Sequence, residues 1–196
     1  MKKLSIILVT GFMVFQSCGD STTTVAITDS VTNKEAQTVI NAPDTAINHG
    51  TASIDAASTE FAMKAANGGM MEIDLARWAQ EHAGSAKIKE FATMMVADHS
   101  IANEQLKTIA VSKNMSLPAT VEGEMKQHMD EIMAIKGAAF DKAYVNMMVA
   151  DHNKDVADFD KASKELPDVE LRNFAARTLP VLQKHQAAII SLKSKM

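Results

Sequence analysis

The sequence predicts an all-α protein whose folded part is a four-helix bundle with an additional short linking helix. Apolar residues recur alternately three and four residues apart over four long segments, the spacing that buries one face of a helix. Gly and Pro residues stand between these segments. Aromatic residues make up only 5% of the chain while Met occurs 14 times, a composition that favours helices over strands.

The N-terminus predicts export. Lys2 and Lys3 precede an apolar run over residues 4–15, which is too short to span a bilayer permanently. The only cysteine, Cys18, closes this segment. The pattern resembles a lipoprotein signal over residues 1–18, in which the cysteine is diacylated and anchors the mature chain to a membrane. Simple secretion is the alternative, although Phe15 is a poor residue three places before an ordinary cleavage site.

Two further regions follow the signal. Residues 19–56 are rich in Thr, Ser, Asn, Asp and Ala and have no aromatic residue. They are interpreted as a disordered tether. Residues 57–196 carry the helical periodicity and are interpreted as the bundle.

Four long helices and one short helix are predicted in the bundle. Ser58 is a candidate N-cap for the first helix, and Pro180 is expected to kink the last one. The predicted bounds are 57–82, 86–114, 121–135 (the short helix), 138–165, and a last helix that opens at Pro167 and Asp168 and extends to about Leu192.

A six-residue motif occurs twice. Met-Met-Val-Ala-Asp-His covers residues 94–99 and recurs, 53 residues later, over residues 147–152. A duplicated helical hairpin is the simplest account, and it predicts a bundle with pseudo-twofold symmetry.

The segments 65–72, 95–100, 140–141, 148–152 and 179–180, together with Phe61, Tyr144 and His185, resemble those of the domain-of-unknown-function family 4142. These are ferritin-like proteins, mostly exported or in the outer membrane. The resemblance extends from about Ala57 to Leu192. It implies a ferritin-like bundle and a location in the cell envelope, but no activity.

Each predicted long helix carries one large polar residue within its apolar stripe: Glu72, His99, His152 and His185. Glu72 lies twelve residues before Gly84 and His99 fifteen after it, while His152 lies fifteen before Pro167 and His185 eighteen after it. Members of a pair therefore differ by roughly 4.5 Å in depth. Both an up-down and a crossover topology place the four groups near one central layer.

Two interpretations of this layer stay open. Three imidazoles and a carboxylate suit a first-row divalent metal such as zinc, iron or copper. Asp98, Asp151 and Asp155 are then supporting groups or alternate ligands. In a purely structural network, Asp98 and Asp151 instead each accept a hydrogen bond from a histidine of a neighbouring helix, and Glu72 accepts another. The di-iron pattern of ferritin-like bundles, two glutamates with two Glu-x-x-His motifs, is missing from the sequence.

The remaining features favour binding or structure over catalysis. The methionines of the repeat are expected to fill the core, with cuprous-ion binding as the alternative. The sequence shows no nucleophile constellation, and no basic stripe that would indicate a nucleic-acid partner. The first function hypothesis is thus an envelope lipoprotein acting as a structural, interaction or stress-related module. The second is a metal-binding or metal-storing protein.

Overall fold

A computed structural model describes residues 54–196. This part of the chain is all-α, as predicted: it has five helices and no strand. The helices are α1 (Ala56–His82), α2 (Ala86–Ser112), α3 (Gly123–Ala134), α4 (Ala138–Glu165) and α5 (Val169–Lys193). The predicted signal peptide with Cys18, and nearly all of the predicted tether, lie outside the described residues.

The helix ends differ from the predictions in a few local details. Asp55, and not Ser58, is the N-cap of α1, because its carboxylate accepts the backbone N–H of Ser58 at 2.8 Å. Ser58 is instead buried, and its hydroxyl accepts the backbone N–H of Asp168. Helix α2 ends two residues earlier than predicted, before Asn114 enters the left-handed region with φ 51°. Helix α5 continues through Pro180.

Contacts between helix ends establish the topology. At one end of the bundle, Ser58 at the start of α1 meets Asp168, and Lys113 after α2 pairs with Asp168 at 2.7 Å. At the other end, the carboxylate of Asp141 in the first turn of α4 accepts the backbone N–H groups of Gly84 and Ser85 between α1 and α2. Helices α2 and α4 therefore run in the same direction, and the segment containing α3 crosses the length of the bundle between them. The topology is the crossover arrangement.

This arrangement corrects the interpretation of the repeated motif. A duplicated hairpin would place both copies on equivalent helices of the two hairpins. The copies instead lie on α2, the second helix of the first hairpin, and on α4, the first helix of the second. Because α2 and α4 run in the same direction, the repeat relates two parallel helices. It does not relate one whole hairpin to the other.

The apolar core is divided into two clusters, and every long helix contributes to both. One cluster includes Leu75, Met95 and Met148, and the other includes Leu106 and Phe174. Along each helix, the change from one cluster to the other occurs at its large polar residue. The four polar residues therefore form a layer between two dry cores.

The methionines of the repeat belong to the first cluster. Met95, Met147 and Met148 are buried in it, and Met94 packs against it. This placement agrees with their expected role as core residues. None of the helices in residues 54–196 combines the length and the apolar composition needed to cross a bilayer.

Candidate metal centre

The structure brings the four predicted polar residues together in the middle of the bundle. Each comes from a different helix, because each interrupts the apolar stripe that its helix presents to the other three. Glu72 is 1% exposed, His99 6%, and His152 and His185 are fully buried. Side chains of this type are buried only where other groups compensate for the loss of water.

One nitrogen of each imidazole faces an oxygen atom. His185 Nε2 lies 2.8 Å from Asp98 Oδ2, and His99 Nδ1 lies 3.0 Å from Glu72 Oε2. His152 Nδ1 lies 3.0 Å from the main-chain carbonyl of Met148, one turn earlier in α4. Carbonyl and ionised carboxylate oxygens accept hydrogen bonds, so the facing nitrogens of His152 and His185 carry the proton, and that of His99 carries it when Glu72 is ionised. The opposite nitrogen of each ring is then a bare lone pair.

These opposite nitrogens are buried and have no hydrogen-bond partner within residues 54–196. They are Nε2 of His99, Nε2 of His152 and Nδ1 of His185. A buried acceptor without a donor is destabilising, and three such acceptors in one layer are more so. No hydrogen bond from the described part of the chain satisfies these three nitrogens.

The spacing of the three rings fits a metal ion. Their centroids are 5.8 Å apart for His99 and His152, 5.2 Å for His99 and His185, and 5.5 Å for His152 and His185. An ion about 2.0–2.1 Å from a nitrogen of each ring lies about 3.2 Å from each ring centre, which places the centroids about 5.2–5.5 Å apart. One ligand nitrogen from each histidine lies within 4.8 Å of the others. Small rotations of the rings would complete a three-histidine site.

The imidazoles are held in the neutral form that a metal requires. Burial, together with the charges that His185 and His152 would carry, lowers the pKa of His99 to about 3. Burial and His185 lower the pKa of His152 to about 4, against the opposing effect of its bond to Met148. Burial also lowers the pKa of His185, although Asp98 opposes this shift.

Three carboxyl groups on α1 and α4, those of Glu72, Asp151 and Asp155, influence one another's charge. Burial, and the negative charges of Asp155 and Asp151, raise the pKa of Glu72 well above its usual range. Burial raises the pKa of Asp151 to about 6. It raises the pKa of Asp155 to about 7, with a further contribution from Asp151. A nearby cation would stabilise the ionised forms of all three.

The carboxylates take different positions from those expected for a structural network. Asp98 does accept a hydrogen bond from a histidine of a neighbouring helix, as that interpretation expected. Asp151 does not: its Oδ2 is buried without a hydrogen-bond partner in the described chain, and His152 bonds to Met148 instead. Among residues 54–196, the side chains whose ligand atoms come together are the three histidines. This geometry favours Glu72 as the acceptor behind His99 over a role as a direct ligand.

Two aromatic residues next to the centre were not identified as site residues from the sequence. Tyr144 is fully buried, and its hydroxyl has no hydrogen-bond partner within the described part of the chain. The ring of Phe91 packs edge-on against two of the histidine rings, with its centroid 6.4 Å from that of His152 and 6.5 Å from that of His185. Both residues occupy apolar seam positions, so helical periodicity alone identifies them only as core residues. Tyr144 lies two helical turns before His152, on the same face of α4. That spacing is the sequence signal that could have placed Tyr144 beside the centre.

The centre is reached from the surface through a cleft of about 370 Å³ between α1, α2 and α4. Glu72 and His99 line this cleft, and so does Asp155. A larger cleft of about 710 Å³ lies between α1, α2 and the segment before α3, and it does not touch the histidines.

Comparison with known proteins gives one match. The profile of a family described as "Domain of unknown function (DUF4142)" matches residues 43–192. No curated protein matches the chain, and no solved structure matches it.

Proposed function

We infer that this chain, which belongs to the DUF4142 family, is a metal-binding protein that holds a first-row divalent ion through His99, His152 and His185. The observation that carries this proposal is a group of three buried histidines whose ligand atoms lie within 4.8 Å of one another, each with one ring nitrogen that has no hydrogen-bond partner within residues 54–196. Zinc, copper and iron all accept neutral imidazoles as ligands. With three protein ligands, the ion would keep an open coordination position.

The groups behind the rings support the same conclusion. Histidines that bind metals almost always present their second nitrogen to a carboxylate, a backbone carbonyl or water, which fixes the tautomer and raises the basicity of the ligand. Here Asp98, Glu72 and the carbonyl of Met148 provide this support, one for each ring. A network that served only to fix helix register would be expected to satisfy its buried polar atoms. Metal binding accounts for the three free nitrogens, and the purely structural interpretation leaves them unexplained.

Metal content and metal-dependent stability test the proposal. The full chain, purified without chelators, should contain about one equivalent of metal or bind one of added cobalt(II) or zinc(II). A metal concentration of about 100 times the Kd should stabilise the native state by about 2.7 kcal/mol, because the unfolded chain has no assembled site. The melting temperature, measured with and without zinc, reports this stabilisation.

Two variants identify the ligands. His152→Ala should abolish both the bound metal and the shift in melting temperature. His128→Ala is the matched control, since His128 is an exposed histidine on α3, and its removal should change neither quantity. Two results would contradict metal binding and favour the structural network: wild-type protein that contains no metal, and a melting temperature that does not change when zinc, cobalt, copper or iron is added.

We also propose that the protein is anchored in the cell envelope by a lipid on Cys18. The supporting pattern is the Lys2-Lys3 pair, the apolar run and the single cysteine. Intact-mass analysis should show a mature chain that begins at a diacylated Cys18 and partitions into detergent. A Cys18→Ser variant should leave the membrane fraction, and its retention there would contradict lipid anchoring.

A further inference from the structure

The cleft between α1 and α4 ends at the candidate metal centre. Two members of the central layer, Glu72 and His99, line it and are almost fully buried, so they form its inner end. On α1, its wall is formed by Phe61, Ala65 and Gly68, which precede Glu72 by eleven, seven and four residues. This spacing keeps all four on one face of the helix.

Small residues keep the cleft open just above Glu72. A Cβ atom added to Gly68 would meet nothing within 4 Å, which shows that this residue faces open space. The neighbouring Gly69 is tightly packed, since a Cβ atom there would lie 2.3 Å from the side-chain oxygen of Asn103. Glycine weakens a helix interior, so an open position at Gly68 is not explained by helix stability.

Two carboxyl groups in the cleft have no lysine or arginine partner among the described residues. Lys64 pairs with Glu60, Lys154 with Asp158 and Lys161 with Glu165, all at the exposed rim. The remaining acidic residues that line the cleft are Asp155 and Glu72, and neither is paired with a lysine or arginine in residues 54–196. In addition, Oε1 of the buried Glu72 makes no hydrogen bond in that part of the chain, and its neighbour there is His152 Nδ1 at 3.4 Å. The inner part of the cleft therefore holds two carboxyl groups without a lysine or arginine partner in the described chain, and a bound cation would stabilise their ionised forms.

We propose that this cleft is the route by which a divalent metal ion reaches the three histidines, with Asp155 binding the ion first and Glu72 Oε1 receiving it next. Carboxylate oxygens exchange their ligands readily and suit a hydrated divalent ion. The ring of His99 lies directly beyond Glu72, since Oε2 of the same carboxylate is 3.0 Å from its Nδ1. This inference rests on the proposed function, because a route requires a metal centre at its end.

The rate of cobalt(II) uptake by the metal-free full chain tests the route. Gly68→Leu should narrow the cleft from a position where a Cβ atom meets nothing within 4 Å, and should slow cobalt uptake, followed by stopped-flow absorbance, by about tenfold or more when access limits the rate. Loss of cobalt to an excess of chelator should slow by the same factor, because uptake and release share one path. The final cobalt content should equal that of the wild type.

Gly68→Ala is the matched control. It removes the glycine from the helix but leaves the cleft open, so its uptake rate should match the wild type within about twofold. If Gly68→Leu takes up cobalt at the wild-type rate, the ion uses another path and the inference is wrong, while metal binding itself stands. If the wild type binds no cobalt at all, the proposed function fails first.

A second pair of variants tests the role of Asp155. Above its pKa of about 7, where Asp155 is ionised, Asp155→Asn should slow uptake by about two- to tenfold, because a negative carboxylate concentrates cations beside it. Asp130→Asn removes the same charge from the exposed surface of α3 and should leave the rate unchanged. Equal rates for the two variants would show that only the overall charge matters, and would overturn the assignment of Asp155 as the first binding residue.

Discussion

Each histidine of the central layer has one nitrogen next to an oxygen atom and one nitrogen without a hydrogen-bond partner within residues 54–196. Three different oxygens fix them: the carboxylates of Asp98 and Glu72 and the main-chain carbonyl of Met148. At the scale of single residues, the function therefore depends on groups that would not themselves touch the metal. The next two predictions concern such groups.

The first prediction concerns Asp98 as the support of His185. Asp98→Ala should weaken metal binding by about 10–100-fold, because the acceptor fixes the tautomer and orientation of the ring. The Kd for cobalt(II), measured by titration, is the readout. Lys184→Ala is the control, since Lys184 also pairs with Asp98, at 3.3 Å, but does not touch the ring. If both variants weaken binding equally, the effect comes from the surface ion pair and not from the support of His185.

The second prediction concerns the stability cost of Asp155. Burial raises its pKa to about 7, so between pH 4 and pH 7 the native state keeps a proton that the unfolded chain has released. As the pH rises through that window, ionisation of this carboxyl in the unfolded chain therefore lowers the free energy of unfolding. Asp155→Asn should make the metal-free protein more stable than the wild type by about 1–3 kcal/mol at pH 8, after allowance for partial exposure, and by almost nothing at pH 4.

Urea unfolding of both proteins at the two pH values measures this difference. Asp155→Ala should show the same dependence on pH, since it removes the same carboxyl group. A stability difference that does not change between pH 4 and pH 8 would contradict a buried, uncompensated carboxylate at this position. A gain in stability combined with slower metal uptake would indicate that Asp155 serves function at the expense of stability.

At the scale of helices, single polar side chains join the ends of elements that are distant in the sequence. Asp141 in α4 is 8% exposed, and its two carboxylate oxygens each accept a backbone N–H of the α1–α2 turn at 3.0 Å. At the opposite end, Lys113 bridges Asp168 and Glu170 at the start of α5, at 2.7 Å each. These contacts fix which helix ends meet, and thereby the depth at which the polar residues face one another.

The third prediction concerns the contact between Asp141 and the α1–α2 turn. Asp141→Ala should lower the free energy of unfolding by about 2–3 kcal/mol, because two backbone donors lose a charged acceptor. Asp141→Asn keeps one acceptor oxygen and should lose about half as much. Urea unfolding measures both. Loss of stability of the same size in the two variants would contradict this explanation, since it would assign the effect to the charge and not to the two hydrogen bonds.

At the scale of the whole molecule, the bundle consists of two apolar clusters separated by a polar layer. Within residues 54–196, both clusters draw on all four long helices. The first helix begins with its own cap at Asp55. The described residues therefore contain the helix signals and the apolar core of a folded domain.

The fourth prediction follows from this organisation. Removal of residues 1–54 should leave a mostly helical domain that unfolds cooperatively on heating. Removal of residues 1–55 also deletes the Asp55 cap and should cost about a further 1 kcal/mol. Circular dichroism at increasing temperature measures both. A shorter chain without a cooperative transition, or with substantial strand content, would contradict an independent bundle.

The sequence predicted the helices closely because the relevant signals are local. Apolar spacing, Gly84, Pro118 and Pro167 set the helix bounds to within about two residues, and each polar residue was visible as an interruption of an apolar stripe. The comparison with known proteins confirmed the family, over residues 43–192. The common depth of Glu72 and the three histidines also followed from distances along the chain, because helix rise is constant.

The partners of these residues were decided only by the tertiary structure. Asp98 and Asp151 occupy identical positions in the repeated motif, yet Asp98 accepts a hydrogen bond from His185, 87 residues away, while Asp151 Oδ2 accepts none within residues 54–196. The sequence allowed both an up-down and a crossover bundle, and only contacts such as that between Asp141 and Gly84 distinguish them. The cleft beside Gly68 likewise depends on how α1 packs against α4. Periodicity determines which face of a helix is buried, whereas the neighbour across that face depends on the path of the connecting segments and on side chains far away in the chain.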